Sequence, residues 1–328
     1  MFRSSNIQDG CIDYNDIVRV NKKVRENLIT KNGDLLICAR NGSSRLIGKN
    51  ALLHRTDANQ TFGAFMMVFR SDKNHFVHHL LNTKRYTSQV AENLGARINQ
   101  ITSSDLSSFR FFFPKDDKEM TRIASLFDLL DGRIAVQTRL IDRLQSLMKG
   151  IRHRIINEAK GKIVCLCEVS DIYQPQTISS ADLTETGYPV YGANGIIGHY
   201  TSYNHEAEQV CITCRGNTCG GVNYTKSKSW ITGNAMVVNV DRYQNIVSKR
   251  YLYHYLSNCD FNSIISGSGQ PQIVRAPLAK FKIILPTVMQ QYKIAHCLDV
   301  IQNKINVNSN ILNLLIRQKQ YLLRKMFI

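Results

Sequence analysis

Two segments of this chain carry apolar residues at alternating steps of four and three, which is the spacing of a coiled-coil seam. The first segment lies within residues 120–160, and the second runs from residue 294 to residue 322. The positions of the first seam are Ile123, Phe127, Leu130, Ile134, Gln137, Ile141, Leu144, Met148 and Ile151. The positions of the second seam are Ile294, Leu298, Ile301, Ile305, Asn308, Leu312, Leu315, Lys319 and Leu322. A helix that keeps a 3.5-residue period for so long is typical of helices that pair lengthwise with another helix.

An amide interrupts the two seams at the same step, Gln137 in the first and Asn308 in the second. A single buried amide lowers stability but fixes the register of a coiled coil. Because a long segment separates the two helices, antiparallel pairing is the simpler topology. Two ordinary surface helices with a chance polar residue are the alternative. Paired heptads over residues 123–151 would form a rod of about 40 Å, which suits a spacer.

The rest of the chain also occurs twice. An apolar run followed by an arginine-bearing turn is found at residues 33–43 and again at residues 210–217. A polar loop follows in each copy, at residues 95–100 and 267–272, and a predicted strand then ends at Pro114 or Pro286. The loops and the prolines are both 172 residues apart (267 minus 95, and 286 minus 114). A repeated spacing of this kind indicates an internal duplication.

The sequence therefore predicts an α+β protein with an internal pseudo-twofold repeat. Two similar mixed α/β domains are separated by two long helices that pair as an antiparallel coiled coil. The predicted parts are a first domain (1–113), a central spacer helix (114–160), a second domain (161–285) and a distal spacer helix (286–328). The second domain opens with residues 162–186, which have no counterpart before residue 5, so the first domain is expected to lack its N-terminal elements.

The charge of the chain favours a polyanionic partner. Lysine and arginine number 42 against 25 aspartate and glutamate, a formal net charge of +17. For a folded protein this favours nucleic acid first and an anionic membrane second, although a chain that is merely basic throughout is the alternative. No apolar run is long enough to span a membrane, and the first residues carry no signal-peptide core. Nine irregularly spaced cysteines favour reduced thiols and a cytoplasmic location.

Motifs that would indicate an enzyme are missing from the sequence. It contains no phosphate-binding Walker loop, no dinucleotide glycine pattern after a strand, no nucleophile elbow and no metalloprotease helix. Cys211, Cys214 and Cys219 could suggest zinc, but residues three apart on a strand face opposite sides. His75, His78 and His79 are interpreted as a charged helix end. The sequence thus predicts neither a catalytic site nor a metal site.

The remaining chemistry is that of binding. Arginine reads guanine edges, asparagine and glutamine read adenine, and lysines hold phosphates. Residues of these types, with small neighbours, lie at matched positions in the two copies, although for any single residue an ordinary polar turn is an equally good interpretation. The candidate DNA-binding residues are Arg40, Asn41, Ser43, Lys49, Arg97, Asn99, Gln100, Asn194, Arg215, Asn217, Thr218, Lys226, Lys228, Ser268, Gln270 and Gln272, with Lys22 and Lys23 as further phosphate contacts.

Several short stretches, taken in order, resemble the DNA-specificity subunits of type I restriction–modification systems. They are Asn6–Gly10, Gly33–Leu36, Tyr188–Gly195, Gly267–Gln272 and the helices that follow Pro114 and Pro286 with Ile-Ala near their starts. The resemblance covers essentially the whole chain. It implies two target-recognition domains that each read one half of a split DNA site, and paired helices that set the unread gap.

The resemblance also implies what the chain binds. Its partners would be double-stranded DNA, two methylation subunits and, in the holoenzyme, restriction and translocation subunits, with no membrane involved. The chain itself would be non-catalytic and would bind no cofactor, since S-adenosylmethionine, ATP and Mg²⁺ belong to the partner subunits. The alternatives are an adaptor that binds protein only, a truncated or inactive specificity variant, and an enzyme whose site is too scattered to detect.

Overall fold

The computed structural model describes residues 1–8, 10–94, 99–193, 195–267 and 269–327. The chain folds into two compact units. The first comprises Met1–Arg139 with Ser309–Ile328, and the second comprises Leu140–Asn308. Each unit therefore combines a globular part with one half of each of two long helices. None of the described helices is both long and apolar enough to cross a lipid bilayer.

The first unit is built around a three-stranded antiparallel sheet of order β4-β3-β5. Every residue of the central strand is buried, and successive side chains enter different apolar clusters, Leu35 and Ile37 on one face and Leu36 and Cys38 on the other. The strand is apolar throughout because both of its faces are covered. The elements of this unit are β1 (Ile7–Gln8), β2 (Cys11–Ile12), β3 (Leu35–Cys38), β4 (Asn50–Leu52), β5 (Met66–Phe69), α1 (Asn74–Leu80), α2 (Lys84–Leu94), α3 (Ser103–Ser108) and the start of α4 (Asp117–Glu158).

The second unit repeats this plan with more strands. Its main sheet has the order β11-β10-β13-β7, and two smaller sheets have the orders β12-β8-β9 and β14-β6. After α4 come β6 (Lys162–Cys165), α5 (Leu166–Val169), β7 (Asp171–Tyr173), β8 (Tyr188–Gly192), β9 (Gly195–Tyr200), β10 (Val210–Thr213), β11 (Val222–Tyr224), β12 (Trp230–Ile231), β13 (Ala235–Asn239), α6 (Lys249–Leu256), α7 (Arg275–Ala279), β14 (Lys282–Leu285) and α8 (Val288–Met326).

Strand pairing and the following helix are the same in the two units, which confirms the predicted duplication. In the first unit β3 pairs antiparallel with β5, and α1 follows β5. In the second unit β10 pairs antiparallel with β13, and α6 follows after a short 3-10 turn. Cys211 enters one apolar cluster and Cys214 another, so the prediction that these thiols face opposite sides is also confirmed. All nine cysteines are free thiols.

The two long helices pair along the predicted seams. In the first unit the Phe127 ring of α4 lies 5.6 Å from the ring of Phe327, the residue after α8, and Asp131 of α4 forms an ion pair with Lys319 of α8. The order of these contacts shows that the helices run antiparallel. In the second unit Ile156 of α4 and Ala295 of α8 enter the same apolar cluster. The predicted pairing residues are all buried or half-buried: Ile123, Phe127, Leu130, Ile134, Gln137, Ile141, Leu144, Ile294, Leu298, Ile301, Ile305, Asn308, Leu312 and Leu315.

One local prediction, the strand that ends at Pro114, is wrong. Phe109–Phe113 is not a strand, although its counterpart β14 is one. β14 pairs with β6, whereas the described residues of the first unit contain no equivalent of β6, and Phe112 remains 69% exposed. Residues 74–94 form two helices, α1 and α2, and between them the Thr83 hydroxyl donates a hydrogen bond to the Leu80 carbonyl at 2.7 Å.

The histidines of α1 are not a charged helix end. His75 is exposed, but His78 and His79 are buried. Burial lowers the pKa of His78 to about 3, so this side chain is neutral at physiological pH. The sequence pattern did not reveal this because α4, the element that covers His79, lies some fifty residues further along the chain.

Candidate nucleic-acid interface

In the first unit the turn after β3 lies against the polar segment that follows α2. Arg40 forms an antiparallel bridge with Gln100, and the Ile101 amide donates a hydrogen bond to the Ala39 carbonyl at 2.8 Å. The Arg40 side chain is exposed, and its guanidinium lies 5.2 Å from the centre of the Phe65 ring. The two polar segments that the sequence singles out are thus joined through their backbones.

The neighbouring amide side chains are engaged within this loop. Asn41 accepts a hydrogen bond from the Ser43 amide at 2.9 Å and donates one to the Ser4 hydroxyl at 3.0 Å. Asn99 donates to the Gly42 carbonyl at 3.2 Å. These bonds fix the shape of the loop, and the exposed Arg40 is the freer donor for a ligand.

The second unit has the same arrangement. The residue after Cys214, Arg215, forms an antiparallel bridge with Gln272, which also bridges Ser266. The Gly216 amide donates to the Pro271 carbonyl at 3.0 Å. Arg215 and Gln272 are exposed, as are Asn217, Thr218 and Gln270.

A glycine shapes the second of these loops. Gly267 has a φ of +89°, and a Cβ atom at this position would lie 2.5 Å from the Gln270 carbonyl oxygen. A side chain is therefore excluded both by the backbone conformation and by lack of space. Ser266 and Gln272 are bridged, and the exposed Gln270 lies between them in the chain.

The candidate phosphate contacts lie elsewhere on the surface. Lys226 and Lys228 are exposed in the loop between β11 and β12, where the Lys228 ammonium is 3.9 Å from the Glu206 carboxylate. Lys22 and Lys23 are also exposed, and the half-buried Lys49 donates to the Gln8 side chain at 3.3 Å. The candidates Arg97, Asn194 and Ser268 lie outside the described residues.

Sequence reasoning missed Phe65, which supports Arg40. It is 54% exposed, and it directly precedes β5. The exposed aromatic ring beside an arginine is the combination that stacks on bases in nucleic-acid complexes. The only signal for it in the sequence is a phenylalanine at the first position of an apolar run, which is too common to single out.

The shifted carboxyls lie away from these loops. Asp128, Asp241 and Asp299 have pKa values below the usual range, because hydrogen bonds from basic or amide side chains outweigh the opposing effect of burial. Asp128 and Asp299 lie on the long helices and Asp241 follows β13. Each has a structural partner: His79, Lys249 and Arg250, respectively.

Residues 159–317 match the type I restriction modification DNA specificity domain. The chain is also 31% identical over 148 residues to the specificity subunit of the type I restriction enzyme EcoprrI from Escherichia coli. It is 27% identical over 169 residues to the EcoKI specificity subunit from Escherichia coli K12. The chain is thus similar to the specificity subunits of type I restriction enzymes.

The matches to these curated specificity subunits are partial. They cover 44% and 50% of this chain and, in both cases, 36% of the relative. The chain therefore aligns with about a third of the length of each curated relative.

Solved specificity-subunit structures support the fold over a longer range. The crystal structure of the type I restriction–modification S subunit from M. genitalium has a TM-score of 0.67 at 16% identity, covering 94% of this chain and 92% of that one. A second structure, from a study of complex assembly of a type I system, has a TM-score of 0.53 at 18% identity and covers 90% of this chain and 82% of that one. The predicted α+β architecture with two long helices is thereby confirmed.

The long helices of the chain carry a second apolar row besides the predicted seam. Its members are exposed and are spaced seven and four residues apart on both helices, and the two rows are offset by 171 residues (300 minus 129). They are Leu129, Val136 and Leu140 on α4, and Val300, Val307 and Ile311 on α8. Apolar side chains repeated in this way on a helix are typical of a surface that another protein covers.

Proposed function

We propose that this chain is a sequence-specific DNA-recognition subunit of a type I restriction–modification complex. Each globular domain would read one half of a bipartite asymmetric site, and the paired helices would set the unread gap. The proposal rests on one observation above all. In both units an exposed arginine at the end of the central strand is bridged to a glutamine of a distant polar loop, Arg40 to Gln100 and Arg215 to Gln272.

Such a pair presents the donors that major-groove readout needs. A guanidinium makes two hydrogen bonds to a guanine edge, and a glutamine amide does the same with adenine. Because the backbone bridge already holds the two loops together, little conformational freedom would be lost on binding. The net charge of +17 would supply the sequence-independent attraction to phosphates.

The apolar rows of α4 and α8 support the proposed partners. Two equivalent surfaces on one chain suit two copies of the same partner, which agrees with two methylation subunits. Restriction and translocation subunits would join them in the holoenzyme. S-adenosylmethionine, ATP and Mg²⁺ would be bound by these partners, and this chain would contribute the sequence readout.

Methylation mapping tests the proposal. The chain is co-expressed with its methylation subunit in a host that lacks adenine methylation, and modified adenines are located by single-molecule sequencing. We expect a motif with two defined halves and an unread gap. A motif with one defined half would indicate a specificity variant in which one of the two domains is inactive.

A protein-only adaptor gives a different result. It would form a stable complex with the methylation subunit, but no motif would be modified. Its binding would also be insensitive to salt, whereas a complex that neutralises phosphates weakens steeply as salt rises. Methylation or cleavage by the purified chain alone would instead indicate an enzyme and would contradict the non-catalytic role.

A further inference from the structure

Two adjacent histidines of α1 meet an aspartate of α4 inside the first unit. His78 and His79 are buried and Asp131 is half-buried. One nitrogen or oxygen atom of each lies within 4.8 Å of those of the other two, and among the described residues this is the one such group of metal-ligating side chains. The Nδ1 atom of His79 lies 3.9 Å from Asp131 Oδ2. The DNA-recognition function proposed above uses none of these residues.

Hydrogen bonds fix which nitrogen of each histidine is free. His79 Nε2 lies 2.8 Å from Asp128 Oδ1, and an ionised carboxylate can only accept, so Nε2 carries a proton and Nδ1 is the nitrogen that a ligand could use. His78 Nδ1 lies 3.0 Å from Asn50 Oδ1. The Asn50 amide nitrogen donates to the Leu81 carbonyl, so Asn50 Oδ1 is the acceptor for His78 Nδ1–H. His78 therefore has its lone pair on Nε2.

This pattern is the one found around metal-ligating histidines. Such a histidine donates its other ring N–H to a carboxylate or an amide oxygen, which holds the ring and its tautomer in place. A metal ligand requires the lone pair of an uncharged imidazole. The burial that lowers the pKa of His78 to about 3 keeps that ring neutral at physiological pH.

The Nδ1 atom of His79 lacks a hydrogen-bond partner among the described residues. The His79 side chain is fully buried. A buried polar atom without a partner is costly and calls for an explanation. A cation bound between Nδ1 and the Asp131 carboxylate would satisfy it.

The second unit supplies an internal comparison. His254 is likewise buried, and its Nε2–H donates a hydrogen bond to Asp299 at 2.7 Å. Its Nδ1 atom has no hydrogen-bond partner among the described residues. However, Tyr253 stands where the first unit has His78, and Gln302 stands where it has Asp131, three residues after the anchoring aspartate. The histidine–aspartate anchor is therefore common to both units, and the additional potential ligands are confined to the first.

We propose that His78, His79 and Asp131 form a site for a divalent transition metal, Zn²⁺ foremost, that pins α1 to α4. Two imidazoles and one carboxylate are ligands that zinc accepts, and a fourth position would be left for water. His78 and Asp131 line a cleft of about 1030 Å³ within the first unit, which gives an ion a path of entry.

The positive charge of Lys319 disfavours a cation at this site. Its ammonium contacts Asp131 Oδ1, while Oδ2 is the oxygen near His79. The ammonium therefore competes with a cation for the same carboxylate. Replacing it by an uncharged side chain of similar length should strengthen metal binding without removing a ligand.

The test measures Zn²⁺ and Co²⁺ binding to the full chain after treatment with a chelator. Titration calorimetry with Zn²⁺ should give one ion per chain, with affinity at least tenfold weaker in His78→Gln and in Asp131→Asn. Affinity should be at least tenfold tighter in Lys319→Met. The matched control, Gln302→Ala in the second unit, should bind as the unsubstituted chain does.

The Co²⁺ spectrum identifies the ligands. A tetrahedral visible band without thiolate charge transfer in the near ultraviolet is expected for two histidines and an aspartate. A thiolate band would assign the metal to the free cysteines and overturn the proposal. No binding by either the unsubstituted chain or Lys319→Met would overturn it as well, and this second variant keeps the test decisive if removal of a ligand unfolds the chain.

Discussion

His254 Nε2 lies 2.7 Å from Asp299 Oδ1, and the same bond recurs in the first unit between His79 Nε2 and Asp128 Oδ1 at 2.8 Å. In each case a buried histidine of the helix after the central sheet is fixed to an aspartate on a long helix. The bond therefore links the sheet-containing part of each unit to one of the two long helices, α4 or α8. In the second unit Arg250 also binds Asp299, through both of its carboxylate oxygens.

Removing the charge of Asp299 should destabilise the chain. Asp299→Asn leaves Arg250 and the buried His254 without their anionic acceptor, which should cost roughly 2–4 kcal/mol. Urea unfolding followed by the fluorescence of Trp230, the single tryptophan, measures this in the second unit. Glu158→Gln is the control, because its ion pair with Arg154 is exposed and should contribute about 0–0.5 kcal/mol. Equal effects of the two substitutions would show that the anchor adds nothing beyond a surface pair.

Stability should fall as the pH falls from 6.5 towards 5. Burial lowers the pKa of His254 from 6.5 to about 4, and the opposing effect of Asp299 does not compensate. Over this range the unfolded chain binds a proton that the folded chain does not, so acidification favours unfolding by up to ~1.4 kcal/mol per pH unit for each such histidine. Urea midpoints at pH 7.5, 6 and 5 measure the slope.

His254→Gln isolates the contribution of this histidine to the pH dependence. Glutamine can donate an N–H to Asp299 but does not titrate, so the variant should have a flatter dependence between pH 6.5 and 5. His78, which is also buried with a lowered pKa, should account for part of the slope that remains. Identical slopes in the two proteins would contradict the assignment to His254.

The sequence predicted features that depend on local period or on repetition. The seam from Ile123 to Leu144 could be predicted because a 3.5-residue period fixes which side of a helix faces a partner. Arg40 and Gln100, like Arg215 and Gln272, were singled out because they occupy matched positions in two copies. The structure brings both pairs together. The duplication allowed matched positions to be compared, which a single copy would not have permitted.

What could not be predicted depends on contacts distant in sequence. The run Phe109–Phe113 has the composition of β14 but does not form a strand, because a strand also requires a partner. The burial of His79 depends on α4, and the engagement of the Asn41 amide depends on Ser4. In each case the residue type suggested a role, but the sequence contained no indication of the partner that decides it.

The edge of β5 should exchange amide hydrogens faster than its counterpart β13. Within the described part of the chain β5 pairs with β3 alone, whereas β13 lies between β10 and β7. Amides on an open edge are protected only where they bond to the neighbouring strand. Hydrogen exchange by mass spectrometry, comparing peptides over 66–69 and 235–239, should show lower protection in the first. Equal protection would indicate that another segment pairs with β5 in solution.

Arg215→Ala should weaken binding to cognate DNA and relax one position of the second half-site. The expected loss is about 1–3 kcal/mol, because an exposed guanidinium can make two hydrogen bonds to one guanine. Affinity is measured for the complex with the methylation subunit, on DNA with each base substituted in turn. Only the position read by Arg215 should lose its base preference in the variant.

Lys226→Ala is the matched control for Arg215→Ala, since Lys226 is exposed in the same unit but lies in a different loop. A phosphate contact carries no sequence information, so this variant should weaken binding to all sequences alike and reduce the slope of log affinity against log salt by about 1. If Arg215→Ala behaves in the same way on cognate and scrambled DNA, Arg215 holds a phosphate. The bridged Gln272, tested as Gln272→Ala, would then be the remaining candidate for base readout at this junction.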